Sequence, residues 1–174
     1  LAASLGVSGG YIVAVGGARR RGLPVAVEAW AAARTRGASE ELVVVGGESP
    51  APRPGLFFAG RLPDESWADL LAGATALCYP TRYEGFGMPA LEAAASGVPV
   101  VCARVGPLPD VLGDAPEWCE GTSVTAIAAG LERLLADPLR QEQRRQVGLA
   151  RAASRPTWAD AARVLLETYA RVAA

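Results

Sequence analysis

Residues 75–103, TALCYPTRYEGFGMPALEAAASGVPVVCA, decide the fold. Thr75 to Tyr79 is a short apolar run, the stretch from about Gly87 to Ala95 reads as a helix, and Pro99 to Ala103 is a second apolar run. Strands joined through a helix need a crossover connection, so they lie parallel in one sheet. Their continuous apolarity, without alternation, marks them as covered on both faces.

The same unit repeats outward in both directions. Tyr11 to Val15 (YIVAV) ends in Gly16-Gly17, a helix is expected from about Pro24 to Arg34, and Leu42 to Val45 closes on Gly46-Gly47. A third short strand is expected at Leu56 to Ala59, then a helix capped by Asp64 or Ser66 and running to Leu71, and a weaker sixth strand at Glu117 to Glu120. Beyond it, Ser123 to Ala136, Pro138 to Ala153 and Trp158 to Val172 read as three helices, with Thr157 and Asp160 forming a capping box. The predicted architecture is a doubly wound, Rossmann-like α/β sheet over residues 11–122, with a helical C-terminal extension over 123–174. Residues 1–10, rich in Ser and Gly, read as a linker, and the chain as a piece of a larger protein. In such sheets ligands bind at the carboxyl ends of the strands, which selects the loops after Val15, Ala59, Tyr79 and Ala103.

Composition narrows the chemistry. The 174 residues are 51% hydrophobic and 20% charged, a globular balance, and the net charge of -1 gives no reason to expect a nucleic-acid partner. There is no His, and all 17 basic residues are Arg. That excludes a Lys Schiff base, a P-loop lysine, a His general base and a His metal site within this chain. Cys78, Cys102 and Cys119 sit in apolar surroundings and read as buried thiols of a reducing compartment. No apolar run approaches the roughly 20 residues that span a bilayer, and a cytoplasmic location is expected. Asn is absent while Ala, Arg, Gly and Pro abound, the bias of GC-rich coding DNA.

The candidate chemistry gathers at residues 83–99. Glu84 precedes Gly85-Phe86-Gly87, a helix opens near Met88-Pro89, and Glu92 follows one turn inside it. Pro suits a first helical turn, the glycines allow close backbone approach, and the free N–H groups attract a phosphate or a developing anion. Carboxylates on both sides of an anion site make sense when the ligand also carries hydroxyls, as a sugar phosphate does. The plainer alternative makes Glu84 part of a helix N-cap and Glu92 a surface acid.

This run, with Pro80-Thr81 before it, Ala93 to Val101 after it and Gly106-Pro-Leu-Pro-Asp110 beyond, resembles the E-x7-E signature of the retaining GT-B glycosyltransferases, over nearly the whole chain. The resemblance implies the C-terminal, donor-binding half of such an enzyme. Glu84 would approach the donor sugar, the amides of Gly85, Phe86, Gly87 and Met88 would hold sugar or diphosphate, and Glu92 would accept hydrogen bonds from the ribose. Leu62 would lie beside the nucleobase through its main chain. The loop from Gly16 to Gly22 matches the family's first strand-to-helix loop, with Gly17 where an Arg is usual and Arg21 in place of a Lys; Arg20 or Arg21 would clamp the diphosphate. The implied activity is retaining transfer of a mannose- or glucose-type hexose from a UDP- or GDP-sugar, with no cofactor and no metal, to an acceptor held by an N-terminal domain. This stretch alone is then expected to be inactive.

Two rivals stand beside that reading, a non-catalytic nucleotide-sugar-binding module and a GT-B-fold sugar-nucleotide epimerase. A dinucleotide-binding dehydrogenase fits worse, because Gly16-Gly17 lacks the G-x-G-x-x-G spacing. The tryptophans Trp30, Trp67 and Trp158 read as helix-to-sheet packing. Arg140, Arg144, Arg145 and Arg151 recur at helical spacing as a solvated face, with peripheral membrane contact as a lesser alternative.

Overall fold

The computed structural model describes residues 1–173. A parallel six-stranded sheet runs in the order β3-β2-β1-β4-β5-β6, from β1 (Tyr11–Val15), β2 (Glu41–Val45), β3 (Leu56–Gly60), β4 (Ala76–Tyr79), β5 (Val100–Ala103) and β6 (Glu117–Cys119). The chain builds outward from β1 to one edge, returns to β4 beside β1 and builds to the other edge, so the order reverses between β1 and β4. The sheet is therefore doubly wound, as expected, and its switch point lies between the strands that end at Val15 and Tyr79.

Period-two alternation divides each strand between two cores. Ile12, Ala14, Leu42, Val44, Ala76, Cys78 and Val101 face α1 (Leu23–Thr35) and α5 (Val124–Leu135), where Trp30, Ile127, Leu131 and Leu134 are buried. Val13, Val43, Val45, Leu77, Tyr79, Val100 and Cys102 face the opposite way, toward α2 (Asp64–Ala72), α3 (Met88–Ala95) and α4 (Leu108–Leu112). Tyr79 thus projects to the α3 side at the carboxyl end of β4. In α1, Ala26, Val27, Ala29, Trp30 and Ala33 form one buried stripe at helical spacing, and Pro24 occupies the first turn, where its missing N–H removes no bond.

The elements depart from the sequence reading in specific places. The N-cap position of α2 is Pro63, so neither Asp64 nor Ser66 caps it. The five-residue α4 has no counterpart in the periodicity; a segment so short and so rich in Pro carries no repeat to detect. Residues read as linker form a 3-10 turn at Ala3–Leu5, with Leu5 and Val7 packed against the core and the Ser8 amide donating to Glu41 Oε2 at 2.9 Å.

The tail forms α5, α6 (Pro138–Ala153) and α7 (Trp158–Ala173). Ser123 Oγ and Asp137 Oδ1 accept from the first-turn amides of α5 and α6, and the Thr157–Asp160 capping box opens α7. Trp158 is 92% exposed, against the expectation that it packs on the sheet, because no residue of α7 is buried. The arginines of α6 do not form a solvated face either. Arg140 and Arg144 reach Glu117, a carboxylate buried at the start of β6, and Arg151 Nε donates to the Val111 carbonyl at 3.0 Å. Only Arg145 of the four stays with its own helix, pairing with Glu142. The buried carboxylate draws Arg140 and Arg144 inward and the α4 carbonyls draw in Arg151, so the spacing does not produce a continuous basic stripe on the outer face. Among the described residues no helix is long and apolar enough to cross a membrane.

Candidate functional site at the sheet switch point

The switch point brings the loops after β1 and β4 into direct contact. The Arg82 amide donates to the Arg20 carbonyl at 2.8 Å, and the Thr81 hydroxyl lies 3.2 Å from the same oxygen. Gly22, at φ +68°, opens α1 there; a Cβ at this position would strike the Pro80 carbonyl, so only glycine lets the two loops close up. The segment after β5 packs on the loop after β4, with Gly106 on the Glu84 backbone and Leu108, the first residue of α4, against Gly87.

Glu84 is buried rather than a surface N-cap residue. Tyr79 donates its hydroxyl to Glu84 Oε1 at 2.6 Å, and Thr81 Oγ1 lies 3.2 Å from the same atom. Thr81 has one proton and three acceptors in reach, the carbonyls of Arg20 and Tyr83 and the Glu84 carboxylate, so Tyr79 is the unambiguous donor. Burial and the hydrogen bond and charge of Glu84 push the Tyr79 phenol well up, so it keeps its proton, while the positive charges of Arg21 and Arg20 act in the opposite sense. Both arginines are therefore within electrostatic reach of the Tyr79–Glu84 pair.

The two arginines differ in availability. Arg21 folds back on its own loop, Nη1 donating to the Gly16 carbonyl at 2.9 Å, and its Nε is buried without a partner. Arg20 is exposed and makes no ion pair among the described residues. Gly16 is buried, its amide given to the Val45 carbonyl, whereas Gly17 is exposed at φ +106°.

Gly87, at φ +90°, turns the chain into α3, and no side chain caps that helix. Among the described residues no loop or turn hydrogen bond uses the amides of Gly85, Phe86, Gly87 or Met88. Half-exposed Phe86 and Met88 and the more exposed Tyr83 form an apolar rim, with the Arg155 guanidinium 5.7 Å from the Phe86 ring centre. Glu92, one turn into α3, is partly buried and accepts from Trp67 Nε1 at 2.7 Å. Leu62 lies in the loop after β3, partly buried against the core. A cleft of about 660 Å³ opens between the loops after β1 and β2, bordered by Gly17, Arg19, Glu28, Gly47, Glu48 and Arg53; neither Glu84 nor Glu92 lines it.

The structure thus joins Arg20, Arg21, Tyr79, Thr81 and Glu84 at one junction, with Glu92 on the adjoining turn. Sequence spacing does not pair Tyr79 or Trp67 with these acids. Tyr79 lies five positions before Glu84 and Trp67 twenty-five before Glu92, and nothing in a one-dimensional pattern aims their polar atoms. The three cysteines are free and buried, and burial pushes their thiols up, that of Cys119 to about 11. Among the described residues no group of three or more His, Cys, Asp and Glu is placed to hold a metal ion.

Residues 10–151 match the family model of the glycosyl transferases group 1. Over 97 residues the chain is 43% identical to the O-antigen chain mannosyltransferase B of Escherichia coli, covering 56% of this chain and 26% of that protein. It superposes on HepE of Anabaena, solved in complex with UDP and glucose, with a TM-score of 0.79, 17% identity and coverage of 98% of this chain and 51% of that one. A solved C-terminal domain of a glycosyl transferase group 1 family protein from Francisella tularensis gives a TM-score of 0.72 at 21% identity, covering 88% of this chain and 89% of that one. The chain spans about a quarter to a third of the length of the first curated relatives it matches.

Proposed function

Because this chain belongs to the glycosyl transferases group 1 family, we propose that it is the donor-binding domain of a retaining hexosyltransferase that uses a UDP- or GDP-sugar. The observation that carries the reading is the junction at the switch point. Four amides without loop partners at the uncapped start of α3, an exposed Arg20 and a buried Glu84 gather at the carboxyl ends of β1 and β4, with the partly buried Glu92 one turn further along α3. A nucleoside diphosphate sugar offers matching chemistry, an anionic diphosphate flanked by two sets of hydroxyls. The mannosyltransferase relative and the structural neighbour that holds UDP and glucose support this choice of ligand.

In this reading the bond between the anomeric carbon and the diphosphate oxygen breaks as the acceptor oxygen bonds to that carbon on the same face. The acceptor proton passes to the departing diphosphate. Negative charge grows on the leaving group, where Arg20 and the amides of residues 85–88 stabilise it without a metal; losing one such donor costs about 10²- to 10³-fold in rate. Arg21, tied to the Gly16 carbonyl, stiffens the loop that presents Arg20. Glu84, held by Tyr79, orients the sugar, and Glu92 takes the ribose hydroxyls. The acceptor is held by an N-terminal domain, so this stretch alone binds donor without transferring it.

Titration calorimetry with UDP, GDP and their hexose conjugates tests the reading. One nucleotide should bind and Glu92→Ala should weaken it, whereas failure of every nucleotide to bind removes the donor-site assignment. The rival of a binding module without turnover is favoured by Gly17, which leaves the loop without a side chain beside the diphosphate position. Slow donor hydrolysis by the whole protein would exclude it.

A further inference from the structure

We infer that Trp67 is a positioning residue that fixes Glu92 for the nucleoside and ties it to the loop after β3; this rests on the donor-binding reading above. The indole Nε1 donates to Glu92 Oε2 at 2.7 Å in a partly buried setting. An indole N–H is a donor only, so it takes one lone pair of one oxygen, pins the rotation of the carboxylate and leaves Oε1 open to a hydroxyl pair. Glu92 has no ion pair among the described residues. A guanidinium in the place of the indole would compete with a diol for both oxygens, whereas a neutral donor orients the acid and leaves it an acceptor.

Trp67 also carries information from the other side of the nucleoside. Its amide closes the first turn of α2 on the Pro63 carbonyl at 2.9 Å, so it is fastened to the segment that holds Leu62. Leu62, Trp67 and Leu91, the neighbour of Glu92, pack against the same core cluster. One side chain therefore links the helix that follows the nucleobase loop to the acid that faces the ribose. The inference is that α2 and α3 form a socket assembled before the ligand arrives.

The test is calorimetry on the full chain with UDP and GDP, comparing wild type with Trp67 replaced by benzothienylalanine. That replacement keeps the ring shape and loses only the N–H, so folding is preserved where Trp67→Phe would leave a void. The expected result is about fivefold weaker nucleotide binding, the scale of one lost hydrogen bond. The loss should vanish in a Glu92→Ala background, since the indole acts through that acid. A structural role alone would lower the melting temperature and leave both nucleotide affinity and this coupling unmoved. Full affinity in the isosteric variant, with Glu92→Ala still weakening binding, overturns the inference and leaves the donor-site reading intact. If Glu92→Ala binds as tightly as wild type, the inference falls together with the role given to Glu92, and if no nucleotide binds the wild type, the donor-site reading falls as well.

Discussion

Glu117 shows how a single residue organises its surroundings. It is 3% exposed and yet charged, because Arg133 Nε, Arg140 Nη1 and Arg144 Nε approach its oxygens at 2.8, 3.2 and 3.3 Å. Burial alone would raise its pKa; the hydrogen bonds and charges of Arg133 and Arg140 outweigh that and hold it below the ordinary value of 4.5. A carboxylate whose folded pKa is depressed contributes stability above its unfolded pKa and loses it as pH falls through the folded one. Glu117→Gln should therefore cost about 2 kcal/mol at neutral pH, discounted because the arginines remain partly solvated. Its stability should also fall less steeply than that of the wild type below pH 4.5. Urea denaturation of both proteins across the acid range checks both points, and parallel curves would contradict the assignment. None of this was visible in the spacing of Arg140 and Arg144, which alone suggests an outward face. The turn inward depends on a carboxylate 23 and 27 residues away.

Among the elements, α7 stands apart. It opens with a well-made capping box and shows an amphipathic repeat, yet Trp158, Leu166, Tyr169 and Val172 are each more than 60% exposed and none of its residues is buried. A helix that buries nothing contributes little to the stability of the sheet. Removing residues 158–173 should thus shift the thermal midpoint by no more than about 4 °C, equivalent to roughly 1 kcal/mol in a domain of this size. Circular dichroism melts check this, and a collapse of the transition would show that α7 supports the core. The contrast with α6 is instructive. Both helices were legible from capping residues and periodicity, but α6 packs Gly148 against Ala94 of α3 and reaches α4 and the residues just after it through Arg151 and Arg144. Local signals specify that a helix forms; its neighbours determine what it touches.

At the scale of the whole molecule, the proposed donor site, drawing on the loops after β1, β3 and β4, should couple ligand binding to global stability. A nucleotide that binds only the folded state, at 100 times its dissociation constant, adds about 2.7 kcal/mol, or roughly 5–10 °C in melting temperature. A thermal scan with UDP and GDP should show that rise for one of them and lose most of it in Glu92→Ala. The amino-acid order by itself determined the alternation of strands and helices, the parallel sheet, the family and the strand-to-helix turn at Glu84, because each is written in local periodicity and in glycines and prolines at fixed offsets. Only the tertiary structure decided which arginine stays free, Arg20 rather than Arg21, and which aromatic hydrogen-bonds each acid, Tyr79 on Glu84 and Trp67 on Glu92. It also decided that Trp158 is exposed. Those outcomes depend on distances between segments far apart in the chain, and side-chain hydrogen bonds, effective over about 3 Å, leave no trace in sequence spacing.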